Sequence, residues 1–546
     1  MASHGNPEIL EAPAPERPQR PLTADEKLAQ TTFDVESSPK SSEWDGTNEA
    51  PYDAPATVKD DGILATMRRW EAAMDRKLGI ESHAIDRKLP EDRKAKMTWR
   101  DNLTMAALWA SGTMNLSCFA TGFLGWKFGL DLKQSILIVI FGSILGGAVS
   151  GFCATLGAPT GLRQISIGRY SFGWYPNKLV ALLNTIQQIG WSSAGCITGG
   201  IALNAVADGK VSTALGIVII AICSLIISFI GIKAILPFER YAWIVYLIVF
   251  LIILGQTGPS ADPTPGTELE GMELSGTVLS LLAIVYGSSA SWATAASDYY
   301  VLYPTNTSRT KVFILTTLGV ALPTSFGMVS GCVVSSALNT EPTWNAAYTE
   351  NGGSGLGFLL QTALYPVGFA KFLLVLLVLS GINCNIINTY SAALSCQQFA
   401  RPFAAVPRVI WTFGCFAVIL AIALAGRDHI LDYLENFLSL LGYWCTSYFV
   451  IVATEHFVFR KANIEANYDL EGWNDPARLP LGLAALASFL LGVVMWCMGM
   501  VETWFVGPVG GLIGEGGGDV ANELTFAVTL LAYLPLRWAE LKFFKR

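Results

Sequence analysis

Charged residues are scarce in this sequence. Only 14% of its 546 residues are Asp, Glu, Lys or Arg, whereas a soluble domain carries roughly a quarter. Residues 1–100 hold 19 of the 43 acids and 15 of the 36 bases, so the rest of the chain is poorer still. Hydrophobic residues make up 52%, and they recur in runs of about 20, the length that crosses a bilayer as a helix. The composition excludes a soluble globular protein and predicts an all-α polytopic membrane protein.

Catalytic and metal-binding patterns are also missing. The chain has four histidines, and two of them, His4 and His83, lie in its polar N-terminal part. We find no phosphate-binding loop, zinc motif or paired His and Asp cluster, which argues against an enzyme and predicts no bound metal or cofactor. The ten cysteines fall within or beside apolar runs without metal-type or disulfide spacing. The sequence contains no repeated ion-filter motif, and so it does not favour a channel.

The N-terminal part differs from the rest in composition. Residues 1–61 are rich in Pro, Ser and acids, which predicts a disordered cytoplasmic tail. Residues 62–100 contain apolar positions at helical spacing with bases between them. They favour either an amphipathic helix on the inner membrane surface or a solvated linker helix. Residues 101–546 hold the long apolar runs and form the membrane domain.

Twelve membrane spans are predicted in that domain, with both chain termini in the cytoplasm. The orientation follows from the basic residues: inner loops hold most of them, and outer loops hold only Lys127, Lys133, Lys210 and Arg427. The spans lie at about 102–126, 133–156, 178–205, 212–231, 238–256, 275–298, 311–336, 358–392, 406–426, 430–456, 480–504 and 523–541.

Two predicted spans are interrupted by small and polar residues at similar depth. The first turns to Gly, Asn, Ser and Thr over residues 112–121, and the sixth ends on "GSSASWATAASD" at residues 287–298. Interrupted helices at corresponding positions of two halves are typical of transporters built from inverted repeats, here about 101–256 and 275–456, followed by additional helices at about 480–541. The alternative is that these hydroxyls bond back to their own helices.

The third and eighth spans carry amides and aromatic rings of a different kind. Asn383, Asn385 and Asn388 lie in one stretch of the eighth span. An unsatisfied amide in hydrocarbon costs several kcal/mol, so these side chains favour a polar cavity. An amide donates and accepts at once, which suits the edge of a nucleobase. Trp191 and Trp292 would supply flat faces for stacking.

The motifs of these spans resemble those of one known family. They are "MNLSCFATGFLG" in the first span, "GAPTGLRQISIGRYSFGWYPNK" before the third, "ASWATAASDYYVLYP" in the sixth and "NIINTYSAALS" in the eighth. From about Met97 to the C-terminus the sequence resembles the fungal purine–cytosine permease branch of the nucleobase–cation symport-1 family. The resemblance implies five-plus-five inverted repeats of the LeuT type with two further helices, broken first and sixth helices, and proton-driven uptake of cytosine and purines across the plasma membrane.

The resemblance also implies a substrate site. Position by position, it would comprise Ser117 in the first span, Trp191 in the third, Trp292 in the sixth and Asn385 in the eighth. The two indoles would sandwich the base, while Asn385 and Ser117 would read its edge.

One position departs from the family pattern. The family often has an asparagine four residues after the tryptophan of the third span, and this chain has Gly195 there. Asn383 or Gln188 would have to replace the missing amide, and Asn388 completes the polar set. The choice among cytosine, adenine, guanine and hypoxanthine is therefore left open.

The coupling ion and its residues are a further expectation. Polar and ionisable residues within spans are functional candidates, and we name Asn115, Asp298 and Lys371 for coupling or gating. A proton is the expected ion; sodium bound by hydroxyls and carbonyls of the first and eighth spans is the alternative. The expected partners are the small-molecule substrate and the lipid bilayer, with no nucleic acid and the oligomeric state open. An amino-acid permease of similar architecture is the rival interpretation.

Overall fold

A computed structural model describes residue 66 and residues 85–228, 232–264, 268–404 and 406–546. The predicted tail and, apart from residue 66, the predicted linker up to residue 84 lie outside the described residues. From residue 85 onward the linker packs under the loop that follows the second span. Arg87 Nε donates to Thr160 O at 3.0 Å, and the Arg93 guanidinium donates to Ala158 O and Lys88 O. This segment is therefore held to the membrane domain by its arginines.

The described part of the chain is mostly helical. The helices are α1 Trp99–Thr113, α2 Leu116–Lys127, α3 Leu132–Ala154, α4 Gln164–Phe172, α5 Asn177–Val206, α6 Thr213–Ser228, α7 Ile232–Thr257, α8 Gly271–Ala290, α9 Arg309–Ser336, α10 Pro342–Thr349, α11 Gly355–Ala363, α12 Val367–Phe399, α13 Arg408–Gly426, α14 Ile430–Thr454, α15 Leu483–Gly499 and α16 Ala521–Phe544. Single helical turns lie at Gly157–Thr160, Arg401–Ala404 and Ile464–Asn467, and a small antiparallel hairpin pairs β1 Val501–Glu502 with β2 Phe505–Val506.

Membrane-spanning length is reached by eight helical stretches of the described chain. They are Leu132–Thr160, Tyr241–Ser260, Gly271–Thr294, Arg309–Asn339, Val367–Phe399, Arg408–Gly426, Ile430–Phe459 and Ala521–Phe544. Two shorter apolar helices, α6 and α15, accompany them. Large apolar side chains such as Phe141 on α3 and Leu531 on α16 point outward and are exposed. Outward apolar faces belong in hydrocarbon rather than water, so the chain is a multi-pass membrane protein.

The chain leaves α-helical geometry in both stretches that the sequence marks as interrupted. α1 ends at Thr113 and α2 begins at Leu116, with Asn115 extended at φ −141° and ψ 174°. α8 ends at Ala290 and continues as two short 3-10 turns, Ser291–Thr294 and Ala296–Tyr299. We refer to residues 291–299 as the unwound segment.

The predicted eighth span differs from the structure at its start. The sequence places it at 358–392, but the chain forms two helices there: α11 ends at Ala363 and α12 begins at Val367, with Pro366 as its N-cap. Proline has no backbone N–H to donate to the preceding turn, and it disfavours helical geometry in the residue before it. The apolar run is therefore divided between a short helix and the span Val367–Phe399.

Glycines on α3 allow two neighbouring helices to approach closely. A Cβ on Gly146 would lie 2.5 Å from Tyr286 O on α8, and one on Gly147 would lie 2.9 Å from Thr317 O on α9. Neighbouring positions of a helix point in different directions, so these adjacent glycines serve two partners. α3 is thereby packed against both α8 and α9, and it supports the helix from which the unwound segment emerges.

Candidate functional site

Asn115 closes the break between α1 and α2. Its Oδ1 accepts hydrogen bonds from Ser117 N at 2.9 Å and Cys118 N at 3.1 Å. Its Nδ2 donates to Gly112 O at 3.0 Å. One amide therefore satisfies backbone groups on both sides of the break, which would otherwise be orphaned. The structure gives Asn115 a capping role, and a coupling role for it stays a prediction.

The unwound segment after α8 receives its partners from α5. Gln187 Nε2 donates to Ser291 O at 2.7 Å and Thr294 Oγ1 at 2.9 Å. Thr294 Oγ1 in turn donates to Asn184 Oδ1 at 2.6 Å. Gln188, which the sequence singled out, donates instead to Asn184 within its own helix at 3.2 Å. Sequence reasoning thus selected one of two adjacent glutamines and missed the one that contacts the unwound backbone.

The two tryptophans named from the sequence meet at the unwound segment. Trp191 Nε1 donates to Ser291 Oγ at 3.2 Å, and the next residue is Trp292. The Trp292 ring meets Trp109 edge to face, with centroids 5.7 Å apart. A Cβ on Gly112 would lie 3.8 Å from the Trp292 ring, which places this ring beside the α1–α2 break. Both Trp191 and Trp292 are buried, away from the interfacial positions that tryptophan often takes.

Asn385 occupies the space that a side chain at position 195 would need. A Cβ on Gly195 would lie 2.4 Å from Asn385 Oδ1, closer than any side chain tolerates. Asn385 Nδ2 donates to Cys196 Sγ at 3.2 Å. Its Oδ1 is buried and has no hydrogen-bond partner in the part of the chain that the structure describes. Gly195, which departs from the family pattern, therefore leaves free the space that the Asn385 side chain fills.

The other named polar residues lie around the same helices with different partners. Ser117 Oγ is 3.1 Å from Thr198 Oγ1, which joins α2 to α5. Asn388 Nδ2 donates to Cys384 Sγ at 3.4 Å, and its Oδ1 is buried without a hydrogen-bond partner among the described residues. Asn383 turns towards α1, where its Nδ2 donates to Ser111 Oγ at 2.8 Å.

The far end of the unwound segment is clamped by an arginine and a carboxylate. Gln164 N donates to Asp298 Oδ1 at 2.8 Å, and Arg163 lies 3.6 Å from the other carboxylate oxygen. Arg163 also donates to Tyr390 OH on α12 at 3.0 Å. Both charged side chains are buried. Asp298 therefore ties the unwound segment to the start of α4, and through Arg163 to α12.

Comparison with known proteins decides the family. Residues 90–513 match the model of the permeases for cytosine/purines, uracil, thiamine and allantoin. The chain belongs to this family. It is similar to the purine-cytosine permease fcyB of Emericella nidulans, with 36% identity over 94% of this chain and 99% of that protein. It is also similar to the vitamin B6 transporter TPN1 of Saccharomyces cerevisiae, with 32% identity over 90% of this chain and 94% of that protein. These relatives are transporters, not enzymes.

A solved structure shares the permease's fold. Mhp1, a nucleobase-cation-symport-1 family transporter solved in a closed conformation with bromovinylhydantoin bound, matches with a TM-score of 0.62. The match covers 85% of this chain and 96% of Mhp1 at 14% identity. The family model and the fungal relative confirm the family resemblance drawn from the sequence motifs, and the solved structure shows that the permease has the Mhp1 fold.

Lys371 lies apart from the tryptophans of the permease. Its Nζ is 2.6 Å from Asp208 Oδ2, and the two side chains are 27% and 54% exposed. Asp208 lies just beyond Val206, the end of α5, and Trp191 stands fifteen residues before Val206, which is roughly 22 Å along the helix axis at 1.5 Å per residue. The sequence named Lys371 for coupling or gating, and the structure places it in a partly exposed ion pair away from the unwound segment.

A third ion pair lies at the end of α2. Lys127 Nζ is 2.6 Å from Asp432 Oδ1 and 2.7 Å from Glu435 Oε2, both on α14. Beside it is a cavity of about 270 Å³ whose lining includes Trp126 and Tyr348. Sequence reasoning counted Lys127 only as a loop base, because the acids that bind it are about 300 residues away.

Proposed function

We propose that this permease is a proton-coupled symporter that imports cytosine and purine nucleobases across the plasma membrane by alternating access. The proposed site comprises Ser117, Trp191, Trp292 and Asn385. The observation that carries the proposal is the hydrogen bond from Trp191 to Ser291, because it brings the indole of α5 to the segment that bears Trp292. A planar ring is the guest that two such indoles suit best.

The architecture that goes with this function has twelve spans. Eight long helices and the shorter α6 and α15 account for ten. We assign the other two to the 30-residue α5 and to the interrupted pair α1 and α2. Both chain ends are then cytoplasmic, as the basic residues favour. The breaks after Thr113 and Ala290 occupy corresponding positions of two inverted repeats, which is where transporters of this architecture bind their substrates.

The polar edge of the proposed site is rich in acceptors. The amide nitrogens of Asn385 and Asn388 are bound to cysteine sulfurs, and their buried oxygens have no hydrogen-bond partner among the described residues. Buried acceptors without partners are costly unless a ligand satisfies them. A substrate that presents N–H groups along one edge meets that need. Cytosine, adenine, guanine and hypoxanthine all present ring or exocyclic N–H groups, so each of them can satisfy these acceptors.

Two ion pairs supply gates for alternating access. The pair of Lys127 with Asp432 and Glu435 joins α2 to α14, and the pair of Arg163 with Asp298 joins the unwound segment to the start of α4. In the proposed orientation the first lies on the outer side and the second on the inner side. Rocking of the helices would open one at a time, and the membrane potential supplies about 2.3 kcal/mol per charge per 100 mV.

Uptake of radiolabelled cytosine and hypoxanthine tests this function, in cells that lack their own nucleobase carriers. We expect saturable uptake of at least one base, inhibited by the unlabelled bases and abolished by a protonophore. Uptake that survives the protonophore but requires sodium would contradict proton coupling. Inhibition by amino acids alone, or by pyridoxine alone, would contradict the substrate class.

A further inference from the structure

A tyrosine in the middle of α14 contacts two buried carboxyl groups. Tyr443 OH is 3.1 Å from Glu502 Oε1 and also forms a hydrogen bond with Asp519 Oδ2. Glu502 belongs to β1 and Asp519 precedes α16, so the contact joins both ends of the loop between α15 and α16 to α14. The three side chains are between 0% and 4% exposed, and water therefore does not compensate their charge.

The count of hydrogens at this phenol requires an additional proton. A phenol carries one hydrogen and can donate it to only one acceptor. Two ionised carboxylates around the same oxygen would leave one contact as a repulsion between lone pairs. One carboxyl group must therefore be protonated and donate to the phenol oxygen.

Glu502 is the better carrier of that proton. Asp519 already accepts a backbone hydrogen bond from Ala521 N at 3.0 Å, which stabilises its ionised form. Glu502 Oε2 is buried and accepts no hydrogen bond within the described residues. The remaining charged groups whose fields act on the two carboxyls are the acids Glu435 and Glu523, and Lys127 is already bound to Glu435.

We propose that Glu502, Tyr443 and Asp519 form a proton-binding site that fastens the loop between α15 and α16 to α14. The proton resides on Glu502 Oε1 and is donated to the phenol oxygen, whose own hydrogen is donated to the Asp519 carboxylate. Thr503, the next residue in the chain, is exposed. The proton on Glu502 therefore has only a short path to the surrounding solution. That this solution is the external medium rests on the orientation given with the proposed function.

The proton site lies next to the contact between α14 and the helix that carries the unwound segment. Gly442 is the residue before Tyr443, and a Cβ on it would lie 3.3 Å from Gly287 Cα on α8. Trp292 follows Gly287 by five residues. Proton binding therefore stabilises α14 at the level where it supports the approach to the proposed substrate site.

Stability of this site must fall as pH rises. Burial and then the charge of Asp519 raise the pKa of Glu502 to about 9 from an ordinary value of 4.5, and burial raises the pKa of Asp519 to about 7 from 3.8. The folded protein thus holds protons that the unfolded chain releases at about pH 4. The stabilisation is complete below that pH and is lost progressively as pH rises towards about 9.

Thermal unfolding of the purified full-length protein in detergent tests the proposal without substrate or transport. We expect the Tm of the wild type to fall between pH 5 and about 9, the range set by these pKa values. Glu502→Gln, which replaces the acid by a permanent donor, should show a clearly shallower fall. The matched control is Glu515→Gln, because Glu515 is an exposed acid of the same loop, and it should follow the wild type.

An infrared measurement covers the case in which Glu502→Gln does not fold. The wild type at neutral pH should show the C=O stretch of a protonated carboxyl group, and this band should disappear on alkalinisation. An equally steep fall of Tm in folded Glu502→Gln, or absence of the band from the wild type, would overturn the proton site. Either result would leave the proposed transport function standing, and failure of nucleobase uptake would leave the proton site standing.

Discussion

The indole nitrogen of Trp191 donates a hydrogen bond to the hydroxyl of Ser291, 3.2 Å away and adjacent to Trp292. This contact joins a continuous helix, α5, to the segment where helical geometry stops after α8. It places two aromatic rings, separated by about 100 residues of sequence, at one unwound stretch. The packing of α5 against that stretch therefore fixes the position of the Trp191 ring, on which the proposed substrate site depends.

Ser291→Ala removes the acceptor of the Trp191 hydrogen bond. The buried indole N–H then lacks this partner, and Trp191 loses its fixed orientation. A hydrogen bond of this kind contributes about 1 kcal/mol, which corresponds to roughly a fivefold rise in KM for uptake. Ser330→Ala is the matched control, because among the described residues Ser330 bonds back to Phe326 O of its own helix and to no other element. Equal KM values for the two variants would contradict a positioning role for Ser291.

Gly195→Ala should displace Asn385. The added Cβ would lie 2.4 Å from Asn385 Oδ1, so the amide must move away from its present place. We expect uptake at low substrate concentration to fall about tenfold or more, equivalent to ~1.4 kcal/mol, with normal surface expression. Gly414→Ala is the control, since a Cβ there meets nothing within 4 Å. Unchanged uptake by Gly195→Ala would show that Asn385 does not need its present position.

Asp298→Asn should weaken the clamp on the unwound segment. The change leaves the buried Arg163 without its carboxylate, and breaking a buried pair from one side costs roughly 3–5 kcal/mol. We expect uptake to be strongly reduced and a cysteine introduced near Tyr390 to be labelled faster from the cytoplasmic side. Labelling and uptake at the wild-type rates would argue against a gate at Asp298.

Arg537→Leu should destabilise the packing of α16 against the end of α14. Arg537 binds both oxygens of Glu455 at 2.9 and 3.0 Å, with the two side chains 3% and 2% exposed. Loss of the arginine removes two hydrogen bonds to this buried carboxylate, each worth about 1.5–3 kcal/mol, and leaves Glu455 with Arg460 and the Tyr533 hydroxyl as partners, so the Tm of the purified protein should fall by several degrees. Arg478→Leu breaks an exposed pair with Asp469 and should change stability by at most about 1 kcal/mol. Equal Tm values for Arg537→Leu and Arg478→Leu would contradict a larger stabilisation by the buried ion pair than by the exposed one.

The fold could be predicted from the sequence where the pattern involves residues that are close together along the chain. Long apolar runs predicted spans such as α3 and α9 because the bilayer fixes their length. The change from apolar to small and polar residues near Asn115 and Ser291 predicted where helical geometry ends. The start of the eighth span was placed too early, since the apolar run continues across Pro366 while the helix does not.

Contacts between distant segments could not be read in the same way. Gln187 and Gln188 both lie on the helix face of Trp191, and only the position of the unwound segment selects Gln187. Lys371 pairs with Asp208, 163 residues away, and no local pattern records such a pair. The sequence places Glu502 at the end of the predicted span 480–504 and Asp519 in the loop after it, and no local pattern indicates that both are buried against Tyr443 of another helix.

Uptake of radiolabelled cytosine by Asn385→Ala is the most direct measurement, with surface expression monitored in the same cells and Trp504→Ala, a change at an exposed ring, as the control. If a nucleobase is read by Asn385 between Trp191 and Trp292, Asn385→Ala reaches the cell surface but takes up no cytosine, whereas Trp504→Ala transports normally. Cytosine uptake by Asn385→Ala with the KM and maximal rate of the wild type would contradict a substrate site at these residues.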